Sequence, residues 1–286
     1  MFRKLLIINA DDFGASNGVN TAVAHVRREG LITSASIMVT GDAFDKAVII
    51  AKNDPQLAVG LHLALSNARS MLDRKYIPDI VDKCGRFGDN PAACACKYYF
   101  SRRAKAQIRS EVEAQFDAFA QTGLPLSHVD GHQHLHMHPA VLPTVIEMAK
   151  QYGAHGIRLP HDPLMVNMQV DRTRLVLKIV TAIGHGYLAW MGENTLRECG
   201  LSTCEMSIGA MMSGDMKIDH VIGMLGRIRA QSVEIFFHPC ASERTDPQGP
   251  NQGDMQTLLD ARLKEYVIAN GYVPATYADL KPEVER

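Results

Sequence analysis

With 286 residues, of which 46% are hydrophobic and 21% charged, the chain has the composition of an ordinary soluble globular protein and enough length for one barrel-sized domain or two small ones. A formal charge of −1 and a pI near 6.9 supply no basic field for gathering nucleic acid, which argues against phosphate-backbone binding and leaves small molecules or neutral carbohydrate as partners. The apolar run after Arg3 and Lys4 breaks at Asn9, Asp11 and Asp12, far short of a spanning helix, and six cysteines without a C-x-x-C pair read as reduced thiols, so a cytoplasmic location is expected.

Short β-like runs alternate with longer amphipathic runs, and no linker or charge block divides them, which predicts repeated β-α units in a single domain over 1–286. Strands are expected at Lys4 to Ala10, Ala35 to Val39, Leu57 to Leu63, Leu126 to Val129, Gly156 to Leu159, Glu205 to Ile208, Val233 to Phe237 and Tyr272 to Thr276. Helices are expected from Asn17, read as an N-cap, to Glu29, then at Ala43 to Lys52, Ala104 to Thr122, Val141 to Gln151, Arg172 to Ile183, His220 to Arg229 and Met255 to Ala269. About eight such units without a break favour a distorted (β/α) barrel, TIM-barrel-like, over an open sheet. Two segments, 66–101 and 241–254, exceed the usual connection length and are candidates for walls or lids over a site.

The chemistry concentrates between Ser127 and Pro139, S-H-V-D-G-H-Q-H-L-H-M-H-P, where five of the twelve histidines of the chain fall within eleven residues. If that stretch is extended, His132, His134, His136 and His138 line one face, and neutral imidazole is the commonest protein ligand for a transition metal. The other acid and histidine clusters are N-A-D-D-F-G at Asn9 to Gly14, G-L-H-L at Gly60 to Leu63, and F-H-P at Phe237 to Pro239. All four clusters fall at the carboxyl ends of expected strands, the rim on which barrel enzymes assemble their sites. A histidine-rich surface loop binding adventitious metal is the bland alternative for the third cluster alone.

These four motifs, in this order and spacing, resemble the YdjC-like carbohydrate deacetylases, the family of chitooligosaccharide deacetylase, from Arg3 to about Leu280. Within it, I-P-D-I-V-D at Ile77 to Asp82, G-R-F at Gly85 to Phe87 and S-G-D-M at Ser213 to Met216 look most like the hopanoid-biosynthesis-associated branch, HpnK, which is associated with deacetylating an N-acetylglucosaminyl hopanoid lipid. The chain departs from that branch at Ala15, where leucine is common, and at Met212, where an aromatic is often seen; neither position is a ligand.

The resemblance implies one divalent metal ion held by Asp12, His62 and His132; Asp11 next door is then the candidate general base, and His238 in F-H-P the candidate general acid, the alternative for His238 being a histidine that caps its strand and packs beside Pro239. One carboxylate and two imidazoles leave coordination positions for water and a carbonyl oxygen. They accept zinc, and equally manganese, cobalt, nickel or iron; magnesium usually prefers a more oxygen-rich set. Asp11 and Asp12 are adjacent and would face opposite sides of a regular strand, so dividing the labour requires a backbone bend, for which Phe13 and Gly14 offer a place. Asp130 is positioned to orient a ligand imidazole, His134 and His136 to stand behind the ligands or in the substrate wall, and Arg158 to pair with Asp11. His128 reads as a core histidine, while His25 and His220 receive no role; the fourteen methionines fit an apolar wall or ordinary packing.

The expected reaction is hydrolysis of an N-acetyl group on an N-acetylglucosamine-containing substrate, preferably an amino-sugar hopanoid met at the inner membrane surface by peripheral contact. Alternatives are a soluble chitooligosaccharide as substrate, a metal phosphoesterase, for which no phosphate-binding glycine loop stands out, and a catalytically silent sugar-binding or regulatory protein.

Overall fold

The computed structural model describes residues 4–242 and 249–280. Eight strands carry the architecture: β1 (Lys4–Phe13), β2 (Ser34–Ile37), β3 (Ala58–Leu63), β4 (His128–Gly131), β5 (Gly156–Ile157), β6 (Met206–Ile208), β7 (Ser232–Phe237) and β8 (Tyr272–Pro274). Every registered pair is parallel, and the order is β5-β4-β3-β2-β1-β7-β6. The two ends of that order meet: Gly156 bridges Ser202, and the His161 amide donates to the Ser207 carbonyl at 2.9 Å. The sheet therefore curls into a distorted α/β barrel whose β5–β6 seam is held by a few bonds only. β8 takes the part of the β1 edge that lies ahead of β2: the Leu6 carbonyl accepts from Ala275 and the Ile8 carbonyl from Thr33.

Ten helices among the described residues wrap the sheet: α1 (Asn17–Glu29), α2 (Phe44–Lys52), α3 (Pro91–Phe100), α4 (Arg102–Gln121), α5 (Leu142–Gln151), α6 (Leu164–Val170), α7 (Leu175–Glu198), α8 (Ile218–Leu225), α9 (Gln252–Leu259) and α10 (Ala261–Ala269). Helix α1 keeps the expected bounds, but its N-cap is Ser16 and not Asn17, because the Ser16 hydroxyl accepts from the Val19 amide. α4 buries Ile108, Val112, Phe116 and Phe119 at helical spacing, as its periodicity demands. The expected helix at Met255 to Ala269 is two helices, divided where the extended Asp260 caps α10 through the Arg262 amide. The expected helix at Arg172 to Ile183 runs instead to Glu198, with α6 ahead of it.

The strands bury nearly continuous apolar runs, Leu6 to Ile8 in β1 and Val233, Ile235, Phe236 and Phe237 in β7 among them, as strands covered on both faces require. Two close approaches fix the site's frame. At Gly60 a Cβ would meet the His128 ring at 2.4 Å, so glycine lets β3 and β4 lie side by side over that buried imidazole. His128 in turn stacks on Tyr277 at 4.6 Å. Segment 66–101 is not a featureless loop: Arg69 bridges Arg86, Val81 bridges Phe87, and α3 ends it. Of segment 241–254, residues 243–248 lie outside the described residues, and α9 begins at Gln252.

Candidate metal centre

β1 brings both acids of the N-A-D-D-F-G motif to the rim, and the predicted bend lies at Asp12 itself. Asp12 has φ +60°, the left-handed region that few non-glycine residues adopt, and the β1–β2 register slips between Ala10 and Phe13. Holding an aspartate there costs about 1–2 kcal/mol. The bulge turns Asp12 towards β3 and β4 and leaves Asp11 facing β5 and β7, so consecutive carboxylates serve two environments.

Asp12, His62 and His132 present donor atoms that all lie within 4.8 Å of one another. Asp12 Oδ1 is 3.2 Å from His62 Nε2 and 3.0 Å from His132 Nδ1. His62 Nδ1 lies 2.8 Å from Asp130 Oδ1, so Asp130 accepts a hydrogen bond from the Nδ1–H and the ring is turned with Nε2 on the Asp12 side. Asp12 Oδ2 and His62 Nε2 are buried without a hydrogen-bond partner among the described residues. Burial would push the Asp12 carboxyl up, but His132 and His62 hold it well below the usual carboxylate range. Burial likewise opposes charge on His62, yet Asp130 and Asp12 raise it well above an ordinary histidine. Carboxylates that would retain a proton on His62 are carboxylates that favour a cation in its place. The two orphaned donors and this donor set fit a divalent metal ion with open positions.

A second cluster of donors, Asp11, His62 and Asp130, also falls within 4.8 Å, but its acids are already engaged. Arg158 is fully buried and grips Asp11 with both terminal nitrogens, Nη1 to Oδ2 at 2.6 Å and Nη2 to Oδ1 at 2.9 Å. It also pairs with Asp130 at 2.8 Å and with Glu234 at 3.0 Å. The reading of Arg158 as a partner of Asp11 agrees with this geometry, with two further carboxylates added. Asn9 Nδ2 donates to Asp11 Oδ1 at 2.7 Å and to Ser36 Oγ at 2.9 Å. Asp11 Oδ2 therefore keeps a lone pair that neither Arg158 nor Asn9 takes, and His238 Nε2 stands 3.8 Å from that oxygen. His238 is held from behind, its backbone N–H donating to Asp254 Oδ2 at 2.9 Å.

The histidine run is not extended. His132 to Met137 forms a 3₁₀ turn with Gln133 and His134 both at positive φ, so the four imidazoles do not share a face. Of the four, only His132 faces Asp12 and His62. His134 is half-buried between His185 of α7 and Phe236, and desolvation of its ring, then His185, hold it well below the usual histidine range. His136 Nε2–H donates to the Arg158 carbonyl at 2.8 Å, and burial takes its pKa down to about 4. It thus supports Arg158 from the backbone side. His138 lies against exposed Tyr99, with ring centres 6.0 Å apart.

Glu234 was missed in sequence. It accepts from Ser207 Oγ and Tyr277 Oη at 2.8 Å each, and burial raises its pKa in spite of Arg158. The signal was present: a carboxylate inside the apolar run Val233 to Phe237 needs a buried cation or donors.

A curled parallel α/β barrel with a buried Asp/His centre at the carboxyl ends of its strands is the class that fold and site define together. The YdjC-like protein family matches residues 5–269, and the chain belongs to that family. A carbohydrate deacetylase of Brevibacillus brevis is 36% identical over 281 residues, covering 96% of this chain and 99% of that protein. The chitooligosaccharide deacetylase of Serratia marcescens is 25% identical, covering 97% and 99%. Among solved structures, a protein of Enterococcus faecalis V583 described as a candidate cellobiose-phosphate cleavage protein superposes with a TM-score of 0.75 at 22% identity, covering 98% of this chain and 99% of that one, a likeness of fold.

Proposed function

We propose that this chain is a metal-dependent carbohydrate N-deacetylase that hydrolyses the N-acetyl group of an N-acetylglucosamine-containing substrate to acetate and a free amino sugar. The observation that carries this is the divided aspartate pair: Asp12 joins His62 and His132, while its neighbour Asp11 is held by Arg158 and faces His238. Full-length relatives named carbohydrate deacetylase and chitooligosaccharide deacetylase support the same reading.

When bound at Asp12, His62 and His132, a divalent cation supplies Lewis acidity for the amide carbonyl and lowers the pKa of a bound water from ~15.7 towards ~7. Asp130 keeps the proton on His62 Nδ1, so that ring stays turned with Nε2 to Asp12. Asp11 Oδ2, with its remaining lone pair, takes the proton of the attacking water. Arg158 fixes the plane of that carboxylate, and Asn9 restrains its other oxygen. His238 delivers a proton to the amide nitrogen as the C–N bond breaks, a task suited to an imidazole whose unperturbed pKa is near ~6.5. Segment 66–101 and the turn around Asn251 form walls of the sugar site in this reading.

The preferred substrate is an N-acetylglucosaminyl hopanoid, taken by a cytoplasmic enzyme at the inner membrane, with soluble chitooligosaccharide the second choice. Acetate release from both substrates by metal-stripped protein reconstituted with zinc or magnesium tests this, with Asp11→Asn as control. Metal-dependent release that vanishes in the variant is expected. Tight metal binding with no release from either substrate would overturn the reading in favour of a silent sugar binder or another hydrolase.

A further inference from the structure

Helix α7 reverses the usual arrangement of a surface helix. Its buried side carries Lys178, Ala189, Gly192 and Leu196, whereas its outward side carries Val176, Val180, Ile183, Tyr187 and Trp190, each 59–76% exposed. These five are four, three, four and three residues apart, one continuous stripe. Leu175, Leu177, Ile179 and Met191 are exposed beside it. At 100° per residue the apolar face covers about 200° of the helix, wider than the narrow seam that a single partner helix would cover. No Asp, Glu, Lys or Arg occurs between Ile179 and Gly192. The helix is long and apolar enough to cross a membrane, yet only 17% of its most apolar 18-residue window is buried, so it is not the core helix of a soluble fold.

The ends of the stripe differ. Arg172 and Arg174 are exposed just ahead of it, where they would meet lipid phosphates, and Tyr187 and Trp190 lie towards its polar end, the aromatic placement favoured at a membrane–water interface. The buried side reaches the candidate site, because His185 packs on His134 in the turn that carries His132. An apolar groove of about 570 Å³, lined by Met137, Leu142, Ile146, Leu188 and Met191, runs between α7 and α5 from the end of that turn.

We propose that α7 is a membrane-docking element that lies in the interface of a bilayer with anionic headgroups, its outward stripe among the acyl chains. Substrate carrying an apolar aglycone is then presented beside the metal centre without leaving the lipid. The proposal deepens the deacetylase reading and rests on it for its purpose, but its test needs no turnover. Trp190 is the single tryptophan of the chain, so its emission reports on this surface alone. With phosphatidylcholine/phosphatidylglycerol vesicles, Trp190 emission is expected to shift to the blue and to be quenched by brominated acyl chains, and the protein to float with the vesicles. The doubly substituted Val180→Glu, Ile183→Glu chain is expected to lose vesicle partitioning by more than about tenfold while deacetylating soluble N,N′-diacetylchitobiose within about twofold of the parent. Unmoved Trp190 emission in the unsubstituted protein would overturn the proposal, as would undiminished partitioning of the double variant. A dimer that forms through this face and leaves vesicles unbound would assign the stripe to a second copy instead. Vesicle binding without deacetylation would count against the enzyme reading only.

Discussion

At the scale of single residues, Asp11 and Asp12 differ in partners although they are chain neighbours, and the difference is measurable. Asp12→Asn removes the anionic ligand and is expected to lower metal content, measured by elemental analysis after dialysis, by at least tenfold together with activity. Asp11→Asn is expected to keep the metal and to lose about 10²–10⁴ in kcat, the usual worth of a positioned base. Equal metal loss in both variants would remove the division of labour. Arg158 is the third case. It is fully buried against Asp11, Asp130 and Glu234, so Arg158→Met leaves uncompensated carboxylates in the interior. Urea titration is expected to show about 3–5 kcal/mol of destabilisation. A loss below about 1 kcal/mol would mean that the acids take up protons or water at little cost.

At the scale of elements, the bulge in β1 and the 3₁₀ turn after β4 decide which side chains reach the centre. Alternation was the natural reading of H-Q-H-L-H-M-H, and it fails because Gln133 and His134 adopt left-handed backbone, which sends His134 and His136 inward behind the site. Local sequence does not announce that turn; Ser66 Oγ donating to Gln133 Oε1 at 2.6 Å, a contact across distant chain, helps to hold it. The β3–β4 packing makes its own prediction. Gly60→Ala would place a methyl 2.4 Å from the buried His128 ring, which Tyr277 holds in its stack, so the strands must part. A loss of about 1–3 kcal/mol is expected in urea titration, together with weaker metal retention, since His62 lies two residues along the same strand. Unchanged stability would show that the His128 ring swings aside freely.

At the scale of the whole molecule, the barrel gathers Asp11, Asp12, Asp130, Glu234 and Arg158 from β1, β4, β7 and the loop after β5, with acids in excess over the one guanidinium. Asp12 and Asp130 both have carboxyls held below the usual range in spite of burial, Asp12 chiefly by His132 and Asp130 chiefly by Arg158. A depressed folded-state pKa contributes stability that is present above the unfolded value, near ~3.9, and is lost as pH falls through the folded one. The protein is therefore expected to lose stability steeply below about pH 4, followed by circular dichroism, with Asp130→Asn flattening that acid limb. A limb of the same slope in the variant would assign acid sensitivity to other carboxylates.

Much of this was legible in the sequence because it depends on short-range regularity. Eight apolar runs at β-α spacing specified the strands, and four motifs at strand ends specified the rim, since a parallel strand covered by helices must be apolar and must end where it meets solvent. Asp12, His62 and His132 could be nominated from those motifs and the family they resemble. The sequence could not show that Asp12 is left-handed, that Glu234 closes a network around Arg158, that His134 and His136 stand behind the site, or that α7 turns its apolar side outward. Each of those depends on what lies opposite a residue in space, and only the closing of the barrel, which brings chain segments more than a hundred residues apart into contact, decides it.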